Sequence, residues 1–535
     1  NTRFNYDDQH FKKLEYGVDY KHISISYLDL AISDISFINK GVDCKINQLN
    51  FFEQSGFQVD EFTSDVNVTP TGIITQHLNI KTPFSKVDGN VTFLTNTYKD
   101  LSNFIEDVTI NSYFNTTKVD FKDIYFFAPV LDCLDKSLDF EGAINGTIDN
   151  LKGSKLSILI DDGTRFRGSA DISGLPNAND MFMYIKVKEL ITTKSKIESI
   201  PLFPFSNGKF IKLPDNFRHL GKIRFKGNFT GFYHDFVTYG ELKTKLGKIT
   251  TDLSVKIGKN KPKYKGNVIT NNFDLGKFFE VQEELGGITM NVNIDGEGFS
   301  KKDVDATLLG EIKRVVVKDY EYNNVEVKGN FKDQIFSGFL AVNDENISFD
   351  FDGKVDLSKD KPEIKFVSNI ENAKLGKLNF ITTKSKLKTR FSTQLKVNLI
   401  VENIDDILGN VEFVNSRYND KVDSIVVEDV LIHSIINNQE RQIIVKSDLL
   451  DAELKGKFSF KEMSKYAQQF FTRYIPSQID EEHEIVNLSN DVSFNIEFHN
   501  SELLSKILLG GIKMSDHTVI YGNYDSEKHN LSVTG

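Results

Sequence analysis

The chain of 535 residues has few of the residue types that mark metal sites, disulfide scaffolds and linkers. It contains 2 cysteines, 10 prolines and no tryptophan. Two cysteines far apart form neither a disulfide framework nor a paired-cysteine zinc site. Cys44 alternates with Val42 and Ile46, so we expect a buried free thiol, with a long-range disulfide to Cys133 as the alternative.

Positive charge and long apolar runs are also missing. The net charge is -11, which is typical of a protein without a nucleic-acid partner because phosphate binding needs a cationic surface. The sequence contains no run of 18 apolar residues, so it predicts no membrane-spanning helix. The sequence starts at Asn1 without a signal-peptide pattern, so we expect a segment of a longer protein whose membrane anchor lies elsewhere.

Motifs for catalysis and metal binding are absent as well. There is no Gly-x-Ser-x-Gly elbow and no Gly-rich phosphate loop. Residues 291–296 imitate the start of a calcium loop, but Lys302 stands where the closing glutamate belongs. His483 has no second histidine at the spacing of a zinc peptidase. We therefore expect a protein that is not an enzyme and that carries no metal or cofactor.

What the sequence does have is strict alternation of apolar and polar residues. Ile288, Met290, Val292 and Ile294 alternate with polar residues, and the stretches 347–355 and 492–498 repeat the pattern. Side chains of a strand alternate between the two faces of a sheet, so one face is apolar and the other wet. This pattern is typical of an antiparallel sheet that faces water on one side.

Several of these strands carry a glycine between two apolar residues of the same face. The glycines are Gly142, Gly227, Gly329, Gly353 and Gly456. A glycine at such a position allows a bend or leaves room where another molecule approaches the backbone. Its repetition predicts one long, curved apolar surface.

Helices and an internal repeat complete the pattern. We expect short amphipathic helices that cap the sheet, with membrane contact as the alternative, at 101–105, 124–134, 275–285, 461–475 and 503–508. Residues 226–229 recur at 328–331, and Asn272, Leu275, Gly276 and Lys277 recur at Asn372, Leu375, Gly376 and Lys377, which indicates a repeat of about 100 residues.

The sequence thus predicts a mainly β chain with no globular linkers. We divide it into an amino-terminal part (1–220), a central part with the pseudo-repeats (221–460), and a last part (461–535) in which a helix at 461–475 precedes further strands.

Several short motifs follow one another in a defined order: Lys81–Ser85, Gly89–Phe93, Val119–Asp123 with Phe127–Pro129, Gly142–Thr147, Ile172–Pro176 and Gly227–Phe232. This ordered series resembles the TamB family of the AsmA-like superfamily. Each motif is short and all of them lie between residues 81 and 232, but their order is fairly specific.

The resemblance implies a translocation and assembly module of a diderm bacterium. Such a protein is anchored in the inner membrane, crosses the periplasm as a twisted antiparallel sheet folded into a U-shaped trough (a β-taco), and docks on a TamA-like or lipoprotein-type outer-membrane barrel. The family is implicated in phospholipid transport and outer-membrane biogenesis. The anchor helix and the carboxy-terminal barrel-docking domain are not recognisable here.

The apolar face suits that function physically. Exposing a lipid's acyl chains to water costs about 0.8 kcal/mol per methylene, so a continuous apolar groove removes a large barrier without a catalytic residue. The expected lining residues are Ile223, Phe225, Phe229, Ile288, Met290, Val292, Ile294, Val325, Val327, Phe331, Phe349, Phe351, Val355, Leu454, Phe458, Phe460, Val492, Phe494, Ile496 and Phe498, with the five glycines named above. The alternatives are a surface β-solenoid or adhesin and an outer-membrane β-barrel.

Overall fold

The structure is a computed structural model. It describes residues 2–38, 40–128, 131, 134–177, 180–201, 210–258, 261–299, 303–378, 389–401, 403, 405–419, 424–437, 440–459, 491–500, 515, 517–525 and 530–535. The helices predicted at 461–475 and 503–508, as well as Phe460, Cys133 and His483, lie outside the described residues. Contacts divide the chain into two compact units, Asn1–Glu283 and Glu284–Gly535.

The described part of the first unit contains strands β1 to β17, four short α-helices and two 3₁₀ helices, Tyr98–Asn103 and Asp215–Leu220. The helices are α1 (Phe104–Asp107), α2 (Phe121–Ile124), α3 (Lys194–Glu198) and α4 (Leu275–Phe279). The strands are β1 (Thr2–Asp7), β2 (His22–Ile38), β3 (Gly41–Glu53), β4 (Gln58–Val59), β5 (Glu61–Thr69), β6 (Gly72–Lys81), β7 (Lys86–Leu94), β8 (Thr109–Asp120), β9 (Ser137–Thr147), β10 (Asn150–Ile160), β11 (Arg165–Ser173), β12 (Phe182–Thr192), β13 (Ile223–Phe232), β14 (Asp235–Thr244), β15 (Gly247–Lys256), β16 (Lys263–Asn271) and β17 (Phe273–Asp274).

The described part of the second unit consists of strands. They are β18 (Leu285–Glu297), β19 (Asp305–Val317), β20 (Tyr320–Lys332), β21 (Ile335–Asn343), β22 (Ser348–Asp356), β23 (Glu363–Ala373), β24 (Arg390–Ile400), β25 (Leu408–Asn419), β26 (Ser424–Asn437), β27 (Glu440–Ser447), β28 (Leu450–Lys457), β29 (Asp491–Phe498), β30 (Val519–Asp525) and β31 (Asn530–Thr534).

The described strands form one open antiparallel sheet of 31 strands, in which most strands adjacent in the chain pair with each other and β3 pairs with both β4 and β5. The predicted fold class, a mainly β chain in a single antiparallel sheet with few short helices, is therefore confirmed. The residues that imitated a calcium loop lie inside β18, as their alternation indicates.

Tight turns fix the register of several strand pairs. Lys318 and Asp319, between β19 and β20, have φ of 46° and 61°, and Asp333 and Gln334, between β20 and β21, have φ of 50° and 63°. Two successive positive φ values are the signature of the two-residue turn whose twist matches that of the flanking strands. These turns set which residues of the two strands lie across from each other, and residues that lie across from each other share a face of the sheet.

The short helices follow the sequence pattern less closely. The 3₁₀ helix Tyr98–Asn103 and α1 together cover the helix predicted at 101–105, but α2 ends at Ile124, where the predicted helix was to begin. Its start is earlier because the Asp120 carboxylate accepts the Lys122 N–H at 2.9 Å and so caps the first turn. Helix α4 begins at Leu275 as predicted but stops at Glu280, which has a left-handed conformation with φ of 61°.

The two halves of the internal echo occupy comparable positions. Asn272 and Asn372 both adopt positive φ, 46° and 54°, directly before a buried residue, Phe273 and Ala373 respectively. Gly227 and Gly329 each lie directly across from another glycine, Gly240 and Gly338.

Candidate apolar binding face

The cross-strand registers collect the predicted lining residues of the second unit on one side of the sheet, here called the apolar face. One row runs Val292, Gly310, Val327, Leu340 and Phe351, each directly across from the next. Ile294 and Phe331 lie on the same face, as do Phe349 and Val355 in β22. The sheet therefore brings together residues far apart in sequence.

The same face continues into the last described strands. Leu454 lies across from Phe494, Gly456 from Val492, and Phe498 from Leu450. Ile496 lies between Ala452 and Ile520. Phe458 follows the end of β28 and its ring lies beside the Arg441 guanidinium, 5.1 Å from the ring centroid to Cζ.

In the first unit the predicted residues Ile223, Phe225 and Phe229 share one face of β13 with Gly227. Phe225 lies between Leu190 and Leu242, and the Phe229 ring stacks on Phe236 with centroids 4.4 Å apart. Gly142 lies on β9 beside Phe114 of β8. This unit has an apolar face of its own.

Burial separates the predicted residues into two groups. The buried group consists of Ile223, Ile288, Val292, Val325, Val327, Val492 and Phe498, with Val292 only 2% exposed. The half-buried group consists of Phe225, Phe229, Met290, Ile294, Phe331, Phe349, Phe351, Val355, Leu454, Phe458, Phe494 and Ile496. Only the second group presents apolar surface that a ligand can reach.

The glycines lie where backbones approach closely. Gly329, Gly338 and Gly353 face one another across three successive strands. A Cβ at Gly353 would lie 2.5 Å from the Cα of Phe366 and nearer still to the Lys365 carbonyl oxygen. A Cβ at Gly456 would likewise collide with the backbone of Asp491. Glycine is thus required here by the backbone itself.

Phenylalanine rings fill the space above several of these glycines. A Cβ at Gly329 would lie 2.6 Å from Cε2 of Phe336, and Cζ of Phe225 lies 2.9 Å from the corresponding point at Gly227. The Phe494 ring covers Gly522 in the same way. The gap that the sequence pattern suggested is therefore occupied by an aromatic ring at each of these positions.

Two aromatic residues of the apolar face, Phe336 and Phe366, were missing from the sequence prediction. Both lie beside the predicted residue Phe351, with ring centroids 6.3 Å from it for Phe336 and 4.9 Å for Phe366. Phe336 precedes Gly338 and Leu340 at the same alternating spacing as the five predicted motifs, so the signal was present. Phe366 has no such glycine beside it in sequence and is placed only by its pairing with Gly353.

A buried cluster closes one border of the apolar face in the second unit. Its members are Val325, Val342, Ile347, Ala373 and Leu378. Beside it, Asp344 accepts hydrogen bonds from the Tyr320 hydroxyl at 2.6 Å, from the Asn346 N–H at 2.9 Å and from the Asn323 N–H at 3.1 Å. This carboxylate joins the turn after β21 to the start of β20.

The pKa values at this border follow from the network. Burial acts to raise the pKa of Asp344, but the hydrogen bonds from Tyr320, Asn346 and Asn323 outweigh it and hold the pKa below its ordinary value. Burial, together with the hydrogen bond to Asp344, raises the pKa of Tyr320 to about 12. Both groups thus keep the forms that bind each other over the neutral range.

No protein-family model, curated protein or solved structure matches this chain. Among the described residues, no cluster of three or more His, Cys, Asp or Glu side chains could hold a metal ion. None of the helices that the structure describes is long and apolar enough to cross a membrane.

Proposed function

We propose that the apolar face binds the acyl chains of phospholipids and conducts them along the sheet. The observation that supports this is the apolar face, on which half-buried aromatic and aliphatic side chains recur from strand to strand, among them Leu340, Phe351 and Phe494. The main contacts of each strand are with its sheet neighbours, so these side chains keep apolar surface exposed on one side of a single sheet. Exposed apolar surface of that extent is typical of a ligand or partner site.

The TamB-like motifs give the proposal its cellular setting. They favour a bridge between the inner and outer membranes of a diderm bacterium, anchored in the inner membrane by a segment outside this chain and joined to a TamA-like or lipoprotein-type outer-membrane partner. The protein would act without a catalytic residue, because the apolar face lowers the cost of holding acyl chains away from a membrane.

The direct test is lipid content followed by lipid transfer. Mass spectrometry of organic extracts from the purified chain should detect phospholipid, and the chain should accelerate phospholipid exchange between donor and acceptor liposomes. A protein that is free of lipid and inactive in exchange would contradict the proposal.

A matched pair of variants separates the two faces of the sheet. Phe351→Asp places a charge on the half-buried apolar face, where an acyl chain would have to desolvate it, so bound phospholipid should fall about tenfold or more. Val426→Asp adds the same charge on the polar face, where Val426 is 52% exposed and lies across from Arg417, and should change little.

The choice of residue matters in this experiment. Val292 lies on the same face as Phe351 but is 2% exposed, so a charge there would test folding instead of lipid binding. Far-ultraviolet circular dichroism should show both variants folded. Equal lipid content in Phe351→Asp and Val426→Asp would overturn the assignment of the apolar face.

A further inference from the structure

A bulge in β2 of the first unit turns an aromatic side chain out of the regular strand pattern. Two residues of β2, Tyr27 and Leu28, stand opposite the single residue Phe51 of β3. Tyr27 has a left-handed backbone conformation, with φ of 55°. Among the residues that the structure describes, it is the one tyrosine or phenylalanine with a positive φ, a conformation that bulky side chains rarely adopt. Bulges of this kind re-aim a side chain, often beside a functional site.

The side chain of Tyr27 lines a surface pocket of about 450 Å³. The lining also includes the Phe52 ring and three polar side chains, those of Asn50, Gln58 and Asp60. This volume lies within the range of small-molecule sites, about 300–1,000 Å³. Tyr27 is 67% exposed and Phe52 is 38% exposed, so a ligand can reach both rings.

The pocket residues Phe52 and Gln58 lie on the face of the sheet opposite to the packed apolar side chains. These two residues lie across from each other, and their neighbours Phe51 and Val59 form the next pair, on the other face. Val59 is buried, and the Phe51 ring lies beside that of Phe57 with centroids 6.4 Å apart. The apolar packing of this unit therefore does not account for the exposed rings of the pocket.

The polar side chains of the pocket are held in place by hydrogen bonds. The Gln58 amide donates to the Asp60 carboxylate at 2.6 Å, and the Asp60 N–H donates to the Lys81 carbonyl oxygen at 2.9 Å. A primary amide has two N–H donors and a carbonyl acceptor, so Asn50 and Gln58 can both donate to and accept from hydroxyl groups. The pocket thus combines aromatic surface with amide groups and a carboxylate that already accepts a hydrogen bond.

We propose that this pocket binds a pyranose unit of an oligosaccharide whose ring hydroxyls lie at the rim of the ring. Such a ring has two apolar C–H faces, one of which can stack on Tyr27 or Phe52 while the rim hydroxyls bond to the polar side chains. An acyl chain would leave those polar groups without partners, and the Asp60 carboxylate disfavours an anion. A cation is the rival ligand, because aromatic faces attract positive charge.

Cellotetraose, a linear oligosaccharide of this kind, is the probe. It is titrated into the purified chain and followed by saturation-transfer NMR, in which the ring C–H protons should receive the strongest transfer. Tyr27→Ala should bind about tenfold or more weakly because the stacking surface is lost, and Tyr27→Phe should bind like the wild type. Tyr239→Ala is the matched control, since Tyr239 is 60% exposed and lies between the polar residues Asn228 and Asp252 of the neighbouring strands.

Tyr27→Gly separates binding from folding. Glycine adopts a positive φ without the steric cost that tyrosine has, so the melting temperature of this variant should stay close to that of the wild type. Cellotetraose binding should nevertheless fall as in Tyr27→Ala. Undiminished binding by a folded Tyr27→Gly variant would overturn the stacking role of the tyrosine ring.

Two other ligands distinguish the remaining outcomes. Sorbitol has similar hydroxyls but no flat ring face, and a wild type that binds cellotetraose no better than sorbitol would refute the proposal. Choline binding that Tyr27→Ala abolishes, without cellotetraose binding, would identify a cation site and refute the oligosaccharide assignment. The lipid-binding variant Phe351→Asp should bind cellotetraose like the wild type, so the pocket and the apolar face are tested independently.

Discussion

Replacing Gly353 by alanine should loosen the sheet at β22 and β23. The added Cβ would lie 2.5 Å from the Cα of Phe366, about 1 Å inside the ordinary separation of carbon atoms. The obstructing atoms belong to the backbone, so the strands must move apart and weaken the hydrogen bonds on both sides of Gly353. Weakening two such hydrogen bonds costs about 2 kcal/mol, and steric crowding adds to this cost. Alanine also restricts the unfolded chain, which stabilises the folded state by up to about 1 kcal/mol and offsets part of the loss.

A net loss of about 2 kcal/mol corresponds to local opening about 30 times more frequent. Hydrogen–deuterium exchange read by mass spectrometry should therefore show faster exchange in peptides covering Ser348–Asp356 and Glu363–Ala373. Gly286→Ala is the control in the same unit, because the nearest atoms to its added Cβ are side-chain atoms of Val316 at 3.0 and 3.2 Å. If both alanine variants exchange like the wild type, close backbone approach does not explain the inward glycines.

Two further predictions concern pH. The pKa of Tyr320 is raised from an ordinary 10 to about 12, so the contribution of this residue to stability should be present below pH 10 and lost as the pH rises to about 12. The melting temperature of the wild type should fall over this pH range. The Tyr320→Phe variant should lack this fall. Backbone hydrogen bonds from Leu14 and Lys21, with one from the His22 side chain, lower the pKa of Asp19 to about 2, so its contribution should be lost as the pH falls from about 4 to 2. Asp19→Asn should flatten acid melting curves in that range, and an unchanged pH dependence would contradict the role of this carboxylate.

Strand alternation was the part of the fold that the sequence determined most directly. The polar and apolar positions of β18, β22 and β29 follow from a period of two, because a strand must send successive side chains to opposite faces. Short helices were harder to predict, since a cap such as Asp120 or a left-handed residue such as Glu280 sets the ends of a helix of four or five residues.

The tertiary structure decided which of the alternating residues a ligand can reach. Val292 and Phe351 have the same pattern in the sequence, yet cross-strand packing buries the first and leaves the second half-buried. The role of the glycines also depended on register, because only the pairing of Gly353 with Phe366 shows that backbone fills the space beside it. The contact between Arg441 of β27 and Asp405, which lies between β24 and β25, joins residues 36 positions apart, and no local pattern specifies such a meeting. Periodicity is a local property of the chain, whereas burial and ion pairing depend on which distant segments the folded sheet places side by side.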